Sequence, residues 1–184
     1  KFSKSGKYIL IYTNTKRVWR VNSKGDYWVY NTESKKLRQL GGSDAKPSTL
    51  QFAKIDPTEK YAAYVREHNL YLEDLESGTI KALTTDGSRT IINGTFDWVY
   101  EEEFGIRDGF RWSPDGSRIA FWRLDAKNIK DFLMINNTDS LYSYTIPVQY
   151  PKAGEKNSEC IVGTVDIKTG KTVWMNVGDD PANN

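Results

Sequence analysis

The stretch richest in reactive side chains is DWVYEEEF at 97–104, where Glu101, Glu102 and Glu103 stand in a row behind Trp98 and Tyr100. Adjacent carboxylates repel one another, and partial burial sharpens the repulsion. Four partners suit such a run: a peptide or amine N-terminus, a structural Arg or Lys, a calcium ion, or plain solvent around an acidic patch. Asp97 stands where it can cap a short helix, although Tyr100 occupies the place where a capping box wants Glu. In a helical turn successive residues lie about 100° apart, so Glu101 and Glu103 diverge, while Glu102 and Glu103 can both lean towards one point. Two converging carboxylates make a socket for an ammonium group, which donates three hydrogen bonds.

Other reactive groups are scarce. His68 is the only histidine, so a Ser-His-Asp triad could form only around it, and no G-x-S-x-G elbow occurs. Its position ahead of a strand reads as a polar turn. Cys160 is the only cysteine. It excludes an internal disulfide or a multi-cysteine metal site and reads as a small buried hydrophobe at the start of an apolar strand. No cofactor and no metal are expected. The net charge of +2 balances 26 basic against 24 acidic residues, with no long basic block, so nucleic acid is not an expected partner. No run approaches 18 apolar residues, which leaves no candidate membrane-spanning helix. Asn93 and Asn136 open N-x-S/T sequons, relevant only to a secreted eukaryotic parent.

The elements that must position the glutamates read as β. KYILIYT (7–13), DYWVYN (26–31), KYAAYVR (60–66), NLYLEDL (69–75), RIAFWRL (118–124) and CIVGTVDI (160–167) are short, rich in β-branched or aromatic residues, and separated by turn formers. They also repeat. SKSGKYILIY, IDPTEKYAAY and WSPDGSRIAF share a polar turn, a basic residue and an apolar strand, with Lys7, Lys60 and Arg118 at spacings of 53 and 58. DYWVYNTESKKLRQL, HNLYLEDLESGTIKALT and GTVDIKTGKTVWM each read strand, turn, strand. Recurrence near 50 residues is the pattern of a β-propeller blade with insertions. The expected fold is therefore all-β: a partial β-propeller of about three to four blades of antiparallel four-stranded sheet. The glutamates fall in the extra length of the second spacing, as an insertion projecting from the scaffold.

DWVYEEEF, followed by FRWSPDGSRIAFWRLD and IPVQYPKAGEKN, resembles the propeller domain of the dipeptidyl peptidase IV family of serine peptidases. WR at 19–20, YVREHNLYLEDL and YPKAGEKN at 150–157 extend the likeness over essentially the whole chain. The resemblance implies that residues 1–184 are part of an N-terminal propeller domain whose parent also carries a C-terminal α/β-hydrolase domain with the Ser-Asp-His triad. Such a parent removes Xaa-Pro or Xaa-Ala dipeptides from peptides with a free N-terminus. By the same resemblance Glu102 and Glu103 hold the substrate α-ammonium, and Arg20 contacts its peptide carbonyl. Glu101 is then structural, and Trp98 and Tyr100 pack to fix the turn. The chain reaches VGDDPANN without a nucleophile, so no catalytic residue is assigned and the segment is expected to be inactive alone; Ser113 in WSPDG is a turn residue. The resemblance places the parent in the periplasm or outside the cell and leaves room for a homodimer. The competing reading is a protein-interaction propeller from a family member that has lost catalysis.

Overall fold

The structure, a computed structural model, describes residues 1–178 and 180. It contains fourteen strands and one helix among them. The first sheet orders β1 (Tyr8–Arg17), β2 (Asn22–Asn31) and β3 (Leu37–Gln39); the second orders β4 (Gln51–Ile55), β5 (Tyr61–Arg66), β6 (Asn69–Asp74) and β7 (Ile80–Ala82). The third is built from β8 (Ile91–Asn93), β9 (Phe110–Trp112), β10 (Arg118–Asp125), β13 (Glu159–Asp166) and β14 (Thr172–Trp174). All pairings are antiparallel.

The core shows why these sheets stack as blades. Alternate residues of a strand face opposite sides, and β5 is buried on both. Ala62 and Tyr64 join Leu10, Val29 and Leu50 against the first sheet, whereas Ala63 and Val65 join Phe110, Ile119 and Phe121 against the third. A middle sheet covered on both faces by its neighbours is the packing of a propeller arc; a two-layer sandwich would leave one face wet.

The repeated motifs occupy equivalent places. Lys7, Lys60 and Arg118 stand at the start of β1, β5 and β10. In the turns that follow β2, β6 and β13, the side chains of Asn31, Asp74 and Asp166 each accept the backbone N–H groups two and three residues on, at 2.7–3.1 Å. One side chain thus replaces the missing ladder partners at each blade edge.

Strand counts of three, four and five depart from a uniform four for local reasons. In the first sheet the fourth position is a single bridge from Phe2 to Ile9. In the third, β8 and β9 lie in line along one edge of β10, opposite Arg123–Asp125 and Ile119–Phe121. At Trp122, between them, Gly94 N–H donates to the Trp122 carbonyl (2.9 Å) and Trp122 N–H to the Gly109 carbonyl (2.9 Å). Gly109 N–H closes the gap onto the Gly94 carbonyl at 3.0 Å. β8 and β9 are therefore one edge strand cut open, and residues 95–108 leave and return through a two-glycine neck. Gly94 has φ +75°, and a Cβ on Gly109 would lie 2.9 Å from the Gly94 carbonyl carbon, so neither position accepts a side chain without movement.

A second insertion between β10 and β13 carries the hairpin of β11 (Asp131–Asn136) and β12 (Tyr144–Gln149), which among the described residues pair only with each other. Its tip, 137–143, is the loop expected around NNTDS. Asn93 of the first sequon is fully buried, its amide donating to the His68 carbonyl and to Asp86, so it cannot serve as a glycan acceptor. No helix among the described residues is long and apolar enough to cross a membrane.

Candidate functional site

The 95–108 insertion carries the one helix among the described residues, α1 (Trp98–Glu102). Asp97 caps it: its backbone is extended and its side chain accepts Tyr100 N–H at 3.2 Å. The other Asp97 oxygen accepts from Ser158 Oγ at 2.6 Å, tying the cap to the edge of β13. Tyr100 stacks on Phe96 (5.2 Å between centroids) within a small core of Ile92, Leu124 and Cys160, and Trp98 packs on Tyr150 (4.4 Å). The two aromatics face different neighbours and fix the helix about its axis. Cys160 is buried, as its apolar setting suggested.

This rotation separates the three glutamates. Glu101 points inward and is 2% exposed. Glu102 is covered but not enclosed: its side chain is 5% exposed, and over it lies the guanidinium of Arg20, itself 81% exposed, donating from Nε to Oε2. Glu103 is the exposed C-cap and makes no ion pair among the described residues. Arg20 comes from the connection between β1 and β2, 82 residues away in sequence, so two blades contribute to one charged cluster. Among the described residues the second Glu102 oxygen, Oε1, is buried without a hydrogen-bond partner.

Behind α1 is a cavity of about 250 Å³, walled by Trp19, Lys24, His68, Trp98 and Glu101 among others. His68 reaches it from the tight β5–β6 turn, where Glu67 and His68 both take positive φ (49° and 61°), and burial lowers its pKa. Among the described residues no group of three or more His, Cys, Asp or Glu is arranged to hold a metal ion.

Glu101 carries a pH signature. Burial raises its carboxyl from 4.5 to about 7, with the Arg107 guanidinium pulling the other way and Glu102 adding to the rise. Between those two values the folded chain binds more protons at this site than the unfolded chain. Its contribution to stability therefore falls as pH rises from about 4.5 to about 7 and stays lost above. Glu101→Gln keeps a neutral group at every pH. In urea unfolding the variant is expected to gain on the wild type by about 3 kcal/mol between pH 4.5 and 8; a difference that does not change with pH would show that the carboxyl is not held in this way.

One contributor was absent from the sequence reading. Arg107 donates from Nη2 to the Glu101 carbonyl (2.9 Å) and from Nη1 to the Gly105 carbonyl (3.1 Å). A basic residue shortly after a helix C-terminus is a known signal, but it is weak when the helix itself has only five residues.

Three stacked blades with a charged helix spliced into an edge strand define a propeller segment that presents side chains from a rigid frame. Residues 3–184 match the dipeptidyl peptidase IV (DPP IV) N-terminal region, and the chain belongs to that family. It superposes on the crystal structure of Porphyromonas gingivalis dipeptidyl peptidase 4 with a TM-score of 0.90 and 29% identity, covering 99% of this chain and 26% of that one. It is 32% identical over 169 residues to dipeptidyl aminopeptidase B and 30% identical over 176 residues to dipeptidyl aminopeptidase A, both of Saccharomyces cerevisiae. These alignments cover 89% and 90% of this chain but 20% and 19% of the relatives. The chain spans about a fifth of the length of the curated relatives it matches. The family's catalytic portion is not among these 184 residues, which leaves this segment non-catalytic alone.

Proposed function

We propose that this propeller segment selects substrates for a serine exopeptidase that releases N-terminal Xaa-Pro or Xaa-Ala dipeptides, with Glu102 and Glu103 binding the substrate α-ammonium. The observation that carries this reading is the state of Glu102. One oxygen holds Arg20 and the other is a buried acceptor with no donor among the described residues. Such an acceptor is costly until a donor arrives, and an ammonium brings three. As the ammonium takes Glu102, the exposed Arg20 guanidinium turns from it to the substrate's peptide carbonyl. Exposed Glu103 supplies the second carboxylate from the open side.

Anchoring the N-terminus measures the substrate. The hydrolase domain of the same parent then reaches only the bond after the second residue, so the glutamates impose exopeptidase specificity without breaking any bond. A protein-interaction propeller gives no role to the grouping of this acceptor with the exposed Glu103 carboxylate and the exposed Arg20 guanidinium. The parent is placed by this reading in the periplasm or outside the cell, acting on free peptide N-termini. Its homodimer would use the β11–β12 hairpin, where Leu133, Ile135, Leu141 and Tyr142 are all more than half exposed.

The test uses the full-length parent with glycyl-prolyl p-nitroanilide and its N-acetyl counterpart. Cleavage of the free amine and strong discrimination against the acetylated form are expected. Equal turnover of both substrates, or of neither, would overturn the reading.

A further inference from the structure

The helix that carries Glu102 and Glu103 is too short to hold its own end. Isolated helices need about a dozen residues or more to be stable in water, and the last carbonyls of any helix require donors from outside it. In α1 the Val99 carbonyl is taken by Glu103 N–H (2.9 Å) and that of Tyr100 by Ile106 N–H (2.9 Å). The Glu101 carbonyl is taken by a side chain, Arg107 Nη2. Gly105, at φ +67°, turns the chain back so that this is possible, and Arg107 Nη1 then closes onto the Gly105 carbonyl. One guanidinium therefore bonds the backbone on both sides of Glu102, Glu103 and Phe104.

Charge points the same way. Arg107 forms no ion pair among the described residues, and its Nε is buried without a partner. Its positive charge is left to act on the neighbouring acids, and it is the strongest of the charges that favour ionised Glu101. A cation at a helix C-terminus is also favourable to the helix itself. The next residue anchors the arrangement to the frame: Asp108 ion-pairs with Lys54 on β4 and with Arg111 on β9.

We propose that Arg107 is a positioning residue for amine recognition, fixing the end of α1 so that Glu102 and Glu103 hold their places while Arg20 is exchanged for the substrate ammonium. The inference rests on the reading of Glu102 and Glu103 given above.

The experiment compares Arg107→Ala, Arg107→Gln and Arg107→Lys with Glu102→Gln in the full-length protein. Two readouts are needed: KM and kcat for glycyl-prolyl p-nitroanilide against its N-acetyl form, and hydrogen exchange of the 97–110 segment. Loss of a charged clamp is expected to raise KM for the free amine roughly tenfold in the Ala and Gln variants, with kcat nearly unchanged and the acetylated substrate unaffected. Lys, which restores the charge but not the planar fork that spans the two carbonyls, should recover only part of the loss. Exchange at Glu103 and Ile106 should accelerate in the Ala variant while β10 and β13 stay protected.

A general fall in kcat for both substrates would indicate mere misfolding and overturn the positioning role. Faster exchange with unchanged KM would overturn it too, leaving Arg107 a structural cap. Unchanged exchange would remove the clamp itself, whatever the kinetics. If instead Glu102→Gln leaves the amine preference intact, the reading of the glutamates fails, and the inference about Arg107 falls with it even where its exchange result stands.

Discussion

Glu102→Gln in the full-length parent is expected to lower kcat/KM for free-amine Xaa-Pro substrates by about 10- to 200-fold, the equivalent of one charge-assisted hydrogen bond of roughly 1.5–3 kcal/mol. The substitution nearly preserves shape, so the loss reports charge. It should sit towards the upper end of that range, because the Glu102 carboxylate is almost wholly covered and also holds Arg20. Glu103→Gln should fall lower, since an exposed carboxylate is better screened. Glu101→Gln should matter least for recognition, its carboxyl facing inward. A misplaced dipeptide also loses alignment with the nucleophile, which can enlarge every one of these effects. N-acetylated substrates are the control, having no ammonium to lose. An undiminished preference for the free amine in both the Glu102 and Glu103 variants would show that these side chains are not the socket.

The largest effect on stability is expected away from the site. Glu73, on β6, is 0% exposed. Its carboxylate accepts from Arg38 Nη1, from Gly41 N–H at 2.8 Å and from Tyr64 Oη at 3.1 Å. Arg38, on β3, also donates to the Asp74 carbonyl at 3.1 Å, so this pair joins the first blade to the second. Arg38→Met strands a buried charge on two neutral donors and should cost about 3–5 kcal/mol. Adding Glu73→Gln removes the charge while keeping an acceptor for Gly41 and Tyr64, and most of the loss should return. Urea unfolding followed by tryptophan fluorescence measures both. A loss below about 1 kcal/mol for Arg38→Met, or no recovery in the double variant, would mean the pair is not what joins the blades.

Much of this architecture was legible in the sequence because the signals are local and repeated. Three turn-strand units, with a basic residue at each start, map onto β1, β5 and β10. Three Asn/Asp-led turns close the blade edges with the same side-chain geometry. Asp97 could be assigned as a cap because capping depends only on the next three residues.

What escaped is non-local. The cut edge strand looked like extra spacing between two units, since neither three-residue half carries a period of its own. The β11–β12 hairpin was missed because both its strands are largely exposed, so apolar/polar alternation has no buried face to mark, and Pro147 argues against a strand. The contact of Arg20 with Glu102 joins residues 82 apart and depends on how two blades sit together. The resemblance assigned a role to each residue, but not their contact. Arg107 was invisible for the same reason as the helix end it closes: one turn of helix leaves no periodic trace.

The two-glycine neck has a further consequence, in the order of synthesis. Residues 97–103 leave the ribosome before β10 (118–125), the strand along which both halves of their own strand register. Until β10 arrives the two halves of the strand have no common ladder to set Gly94 and Gly109 a hydrogen bond apart, and the three acids lack the geometry of the folded insertion. A nascent chain stopped before residue 118 therefore carries all three of these glutamates but not the strand that registers their insertion; the proposed recognition element is completed from downstream, by a strand that contributes none of its charges.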